Sequence, residues 1–221
     1  MQEKIFIGIQ SRLLSSRFPN KAFADILGIP LIVRVIQRMQ QIKHPHILAL
    51  LVPENEISQY TQFLIKYHIN IPVFGGDETN VLHRYYHAAK YFGSHDLIMR
   101  VTGDNPLLSP YLADLLIVYH HKKKCDLSHF LKNTFGTGVE IINFKTLEKS
   151  YQQASTVDEL EHVTQYIYNN RNLFYIEEPI SPYTSDIYTS LSIDYVEDID
   201  LIENILKKYP NWDITHQYKN Y

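Results

Sequence analysis

Continuous apolar runs and helix-period stripes alternate along the first 124 residues of this 221-residue chain. The runs at residues 4–9, 46–52, 71–74 and 97–101 predict strands buried on both faces. Between and after them, apolar residues recur at helical spacing over 30–41, 54–68, 81–92 and 111–121. Ser109 and Pro110 supply an N-cap and a first helical residue for the last of these. Alternating strand and helix at this spacing predicts a parallel sheet covered by helices, an α/β fold.

After Lys124 the rhythm changes. Residues 125–130 and 139–143 predict two strands joined by a turn containing Gly136 and Gly138. Helices are expected at 144–153 and 157–169, the second opened by the capping box Thr156-x-x-Glu159. Further strands are expected at 174–180 and 190–194, and a closing amphipathic helix at 196–208. No repeat, low-complexity tract or linker interrupts the chain. It is expected to be a single domain over 1–221, with halves of about 1–124 and about 125–221.

Composition narrows the class. An apolar share of 45% and a charged share of 20% are ordinary globular values. The single cysteine, Cys125, excludes an intrachain disulfide and fits a reducing compartment. The run at 4–9 is too short for a signal peptide, and no apolar stretch approaches the ~20 residues of a membrane helix. A cytoplasmic protein without a membrane partner is expected. The net charge of −3 gives no reason to expect nucleic-acid binding, but its distribution is uneven. The first 53 residues carry +5, with seven cations against Glu3 and Asp25, which leaves −8 for the rest. A basic beginning and an acidic remainder suit a site that holds an anion on one side and a metal on the other.

In an open parallel sheet, ligands sit outside the carboxyl ends of the strands. The segment after the first strand, Gln10-Ser11-Arg12-Leu13-Leu14-Ser15-Ser16-Arg17-Phe18-Pro19-Asn20-Lys21, lacks both GxGxxG and GxxxxGK[ST]. Instead it offers three cations, several hydroxyls and no acid, a set that can neutralise a triphosphate with side chains. Asp104 follows a buried strand and Gly103, which places its carboxylate at the sheet's carboxyl edge, where Mg²⁺ would find an oxygen ligand. The same Gly-Asp-Asn-Pro sequence is also good turn chemistry. His44, His83, His87, His120 and His121 lack the spacing of a supported metal site and are expected mostly at the surface.

Five ordered motifs carry a family resemblance. Residues 10–21 resemble Gln-Ala-Arg-Met-Gly-Ser-Thr-Arg-Leu-Pro-Gly-Lys, with Leu14 and Asn20 in place of glycines. Val73-Phe74-Gly75-Gly76-Asp77-Glu78, with Val81-Leu82-His83-Arg84-Tyr85-Tyr86, resembles a second motif. Arg100-Val101-Thr102-Gly103-Asp104-Asn105-Pro106-Leu107 resembles a third, Glu161-His162-Val163-Thr164 a fourth, and residues 191–201 a fifth. Together they resemble the bacterial cytidylyltransferase family of spore coat polysaccharide biosynthesis protein F. That family is related to the CMP-ketodeoxyoctonate and CMP-sialate synthetases.

The resemblance implies a Rossmann-like nucleotidyltransferase fold with a small added β-containing lobe. It also implies a nucleotide-binding first half, an acceptor-side second half, CTP as donor and a small acidic sugar or related acceptor. Arg12, Arg17 and Lys21 would hold the triphosphate, Gln10, Ser11 and Asp104 would also bind the nucleotide, and Glu78, Leu82 and Arg84 would approach the base. Asp104 and Asp194 would bind Mg²⁺, with Arg12, Lys21 and Asp104 as the catalytic set. Arg100, Glu140, Glu161 and His162 would face the acceptor. Gly138 stands where the family pattern carries aspartate. Asp194 is also a competent N-cap for the closing helix, and Asp198 and Asp200 are expected as solvated positions. Another base, a glycosyltransferase of related fold and a binding-only relative stay open, as does a homodimer.

Overall fold

The apolar run at the start of the chain becomes β1 (Ile5–Gln10), an interior strand of a seven-stranded sheet in the computed structural model, which describes residues 5–93, 96–183 and 190–213. A two-stranded hairpin follows, β2 (Asp25–Ile26) and β3 (Ile29–Pro30), and leads into α1 (Leu31–Met39). Then come β4 (His46–Pro53), α2 (Ile57–Lys66), β5 (Val73–Gly76), α3 (Val81–Tyr91), β6 (Leu97–Thr102) and α4 (Pro110–Lys123). The second half supplies β7 (Leu127–Ser128), β8 (Glu140–Asn143), α5 (Phe144–Gln153), α6 (Val157–Glu161), α7 (Gln165–Asn169), β9 (Ile176–Glu177) and α8 (Asp198–Lys208).

The main sheet runs β5-β4-β1-β6-β8-β7-β9. Its first four strands are parallel, β8 lies antiparallel to β6 and to β7, and β9 is parallel to β7. This is a mostly parallel, Rossmann-like sheet flanked by helices.

Period-two alternation sorts each apolar strand between two cores. Ile5, Ile7 and Ile9 of β1 join Leu50, Val52, Met99 and Val101 on the face covered by α1, α2 and α4. Phe6, Ala49, Leu51 and Ile98 point to the opposite face, under α3 and α5. The strand order reverses between β1 and β6, because β4 and β5 build outward on one side before the chain returns to the other. A crevice at the carboxyl ends of β1 and β6 is the consequence. Among the described residues, no helix is long and apolar enough to cross a membrane.

Four expected elements differ, among them the strand expected at 125–130, which shortens to β7. The helix over 157–169 is broken: His162 is extended (φ −104, ψ 95), and α7 starts only at Gln165. The break buries Val163 fully and lets the Thr164 hydroxyl donate to Glu140, an arrangement a continuous helix does not provide. Residues 190–194 form no strand, since their backbone amides bond two different partners: Leu191 donates to Phe135 O and Ile193 to Asp104 O. The strand expected at 174–180 shortens to β9, with one further bridge between Leu131 and Ile180. The caps at Ser109 and Thr156 are present as expected.

Candidate functional site

Two loops meet at the crevice, the one after β1 and the one after β6. Gly103 N–H donates to Gln10 O at 2.8 Å, and a Cβ at position 103 would lie 2.9 Å from that oxygen. Glycine is what lets the loops touch. The first loop is also tied from below: Glu56, which is buried, accepts from Leu13 N–H at 2.9 Å, and the Tyr60 hydroxyl pairs with Ser11 Oγ at 2.7 Å. Asn20 holds a left-handed conformation (φ 57) immediately before the 3-10 turn Lys21–Phe23. Asparagine tolerates that region better than most residues, so it can stand where the related pattern carries glycine.

The cleft measures about 730 Å³. Gln10, Ser11, Arg12, Arg17, Lys21, Arg84, Arg100, Asp104, Glu140, Glu161, His162 and Asp194 all line it. Glu78 and Leu82 do not. Glu78 is exposed beside the Asp77 turn, and Leu82 is fully buried in the core under α3, where its apolar neighbours hold it away from any ligand.

At one end of the cleft, opposite charges converge. Lys21 Nζ lies 2.8 Å from Ile193 O and 3.3 Å from both Asp104 Oδ2 and Asp194 Oδ1. Arg17 donates to Asp194 Oδ1 at 2.7 Å and rests on the Tyr195 ring, 5.3 Å from its centroid. Arg12 reaches Glu161 at 3.2 Å. Asp194 does not cap the closing helix. Its backbone N–H and that of Tyr195 instead donate to Asp198 Oδ2, at 2.7 and 2.8 Å, so Asp198 is not a merely solvated position.

The opposite wall is a closed network. Arg100 donates to Glu140 at 2.7 Å and to Gln10 Oε1 at 3.2 Å. Glu140 also accepts from the hydroxyls of Thr164 and Tyr168. Burial pulls the Arg100 pKa down, but the Glu140 carboxylate outweighs it and the net shift is upward. Burial pushes Glu140 up, yet Arg100 and Tyr168 hold it below its ordinary value. Both groups therefore stay charged. Behind them, Glu178 accepts from Arg171 and pairs with His129, which brings its pKa down to about 2.

Arg84 is a different case. It is 2% exposed, burial lowers its pKa, and among the described residues its Nη1 makes only two 3.4 Å contacts, to Ser11 O and Leu51 O. Gly138 is likewise informative, since a Cβ there would lie 2.5 Å from the Asn133 amide. Asn133 thus fills the space that a longer side chain at position 138 would need.

Sequence reasoning did not single out Glu56, Tyr60 or Asn133, whose roles depend on distant partners. It also placed His120 with the surface histidines. That residue is buried, with Nδ1 2.8 Å from Ser128 Oγ and Nε2 3.1 Å from Asn143 Oδ1. Arg34 and Arg38 turn inward to the carbonyls of Ile26, Leu108 and Trp212, and burial lowers the Arg38 pKa to about 10.

Two carboxylates and a carbonyl converge on Lys21 Nζ, an all-oxygen set of the kind a hard divalent cation takes. Among the described residues there is no cluster of three or more histidine, cysteine or acidic side chains suited to a protein-only metal cage. The residues present fit a cation that arrives with a phosphate ligand.

Comparison with known proteins bears on the family and the fold. The sequence model of the Cytidylyltransferase family matches residues 5–218. An uncharacterized protein of Methanocaldococcus jannaschii is 33% identical over 211 residues, spanning 93% of this chain and 84% of the relative. Spore coat polysaccharide biosynthesis protein SpsF of Bacillus subtilis is 29% identical over 218 residues, 94% of this chain and 88% of its own length. A solved structure of a cytidylyltransferase from Leptospira borgpetersenii has the same fold. Its TM-score is 0.87 at 24% identity, covering 97% of this chain and 92% of that one.

Proposed function

The chain belongs to the cytidylyltransferase family, matched over residues 5–218, and from that premise we propose that it transfers CMP from CTP to a small acidic sugar or related acceptor, releasing pyrophosphate. The likeness to a spore coat polysaccharide biosynthesis protein supports a place in surface-polysaccharide or glycan synthesis. The observation that carries the reading is the meeting of a cationic loop with two carboxylates at the sheet's switch point.

An acceptor hydroxyl attacks the α-phosphorus. A new P–O bond forms, the bond to the bridging oxygen of the β-phosphate breaks, the hydroxyl loses its proton, and pyrophosphate leaves with the bonding electrons. Arg12, Arg17 and Lys21 hold the phosphates and neutralise charge that grows on the leaving group. Asp104 and Asp194 are the residues that would hold Mg²⁺, which supplies Lewis-acid charge stabilisation when bound. Arg84, a buried cation on the cleft wall with little hydrogen bonding of its own, faces the base. The Arg100–Glu140 wall and His162 face the acceptor and exclude water.

The test is pyrophosphate release measured with each of four nucleoside triphosphates against a panel of acidic sugars, with CTP binding followed by calorimetry. CTP-selective release confirms the reading, and equal affinity for all four nucleotides overturns the cytidylyl assignment. The Asn133–Gly138 packing favours one second reading, binding without turnover, because it changes the cleft lining where the family pattern is acidic. CTP affinity without turnover on the whole panel would establish that alternative.

A further inference from the structure

Asp194 lies in a stretch without ladder pairing, yet its carboxylate must be aimed. Ile193 on its N-terminal side is pinned twice: its N–H donates to Asp104 O at 2.9 Å, and its carbonyl accepts from Lys21 Nζ at 2.8 Å. On the other side, the N–H groups of Asp194 and Tyr195 both donate to Asp198 Oδ2, at 2.7 and 2.8 Å. One carboxylate oxygen thus fixes two consecutive peptide planes. Those planes carry the Asp194 side chain toward Lys21 and Arg17, and the Tyr195 ring beneath the Arg17 guanidinium.

An ordinary helix cap does not explain these bonds. A capping side chain accepts from amides two or three residues ahead of it, inside the helix. Asp198 accepts from amides three and four residues behind it, outside α8, and the residue at the cap position, Glu197, makes no side-chain capping bond. The interaction therefore serves the incoming segment rather than the helix.

We propose that Asp198 is a positioning residue for this active site, holding the Asp194 carboxylate in line with Asp104. The inference rests on the proposed role of Asp104 and Asp194 as the cation-holding pair. Asp198 touches neither Lys21 nor Arg17 directly, so it acts through the backbone of residue 194.

Binding of Mn²⁺ in the presence of CTP, followed by electron paramagnetic resonance, tests it on the full chain. Asp194→Asn should weaken Mn²⁺ binding at least tenfold, and Asp198→Ala by about tenfold, the range typical of residues that orient a metal ligand. Asp198→Ala should also raise the Mg²⁺ concentration for half-maximal turnover while leaving kcat at saturating Mg²⁺ within about threefold of wild type. Asp198→Asn keeps an acceptor oxygen in place and should bind Mn²⁺ like wild type. Asp198→Glu keeps the charge but displaces the acceptor and should behave like the alanine variant, which preserves the test if the alanine variant does not fold. Wild-type Mn²⁺ affinity in Asp198→Ala or Asp198→Glu, with Asp194→Asn impaired, overturns the positioning role alone. Wild-type affinity in Asp194→Asn overturns the cation-pair reading and the inference with it.

Discussion

The two ends of the cleft use the same chemistry under opposite constraints. At the phosphate end, contacts of 2.7 to 3.3 Å join Arg17, Lys21, Asp104 and Asp194; Arg17 and Asp194 remain a third or more exposed, while Lys21, with three partners, is 15% exposed. At the other end, Arg100 and Glu140 are each 17% exposed, and Glu140 also accepts from the Thr164 and Tyr168 hydroxyls. Exposed pairs are weak and exchange partners readily, whereas a buried pair resists separation because either charge left alone is costly. On the proposed reading Arg17, which would be handed to a ligand, is held loosely, and the charges that shape the wall are locked together.

The largest expected effect falls on the locked wall. Glu140→Ala leaves the Arg100 guanidinium uncompensated and should destabilise the fold by about 3 kcal/mol or more. Chemical denaturation measures this directly, and a loss below about 1 kcal/mol would show that solvent, not Glu140, satisfies Arg100. Glu140→Gln should fall between, since the amide still accepts hydrogen bonds but carries no charge.

Next in size is Asp104→Asn. It keeps the shape and turn-forming capacity of the residue and removes the charge. Turnover should drop at least about a hundredfold, with partial rescue at high Mg²⁺ or by Mn²⁺, while the melting temperature stays within a few degrees. Full activity at ordinary Mg²⁺ would remove Asp104 from the mechanism.

Lys21→Ala should weaken CTP binding roughly ten- to hundredfold, the size of one lost charge-assisted contact, with little change in stability. A large fall in melting temperature with intact CTP affinity would mean that Lys21 serves the fold by neutralising Asp104 and Asp194, which would erase the contrast between the two ends.

The smallest effect is a pH signature behind the wall. Glu178 is held at about 2, against an ordinary value of 4.5, chiefly by Arg171 and then by His129. A depressed carboxylate contributes stability above its unfolded pKa, and that contribution is lost as pH falls from about 4.5 toward 2. Because Arg171 is half exposed, the contribution should be only about 1–2 kcal/mol after screening. Glu178→Gln should therefore lower stability at pH 7 and flatten the acid limb of the stability curve between pH 4.5 and 2. An unchanged acid limb would show that the Arg171–Glu178–His129 contacts add nothing to the wall.

Local pattern determined much of this protein. The alternation of apolar runs and helical stripes specifies β1, β4, β6 and the helices between them, because period-two and period-3.6 burial follow from backbone geometry alone. The loop cations and Asp104 were legible for a similar reason: residues that follow a buried strand emerge at the carboxyl edge of the sheet. What pattern does not contain is which distant segments meet. The family resemblance implies a base contact for Leu82, but it packs into the core, because the face of a helix that turns inward depends on what lies beneath it. The break at residues 162–164 arises where Val163 must be buried and Thr164 must reach Glu140, a partner 24 residues away. Asp198 reads as a solvated position in the sequence, and only the fold turns its oxygen back onto the Asp194 amide. Short-range geometry is written into successive residues, whereas hydrogen-bond partners across the chain are set by packing, and the site's charge pairs belong to the second kind.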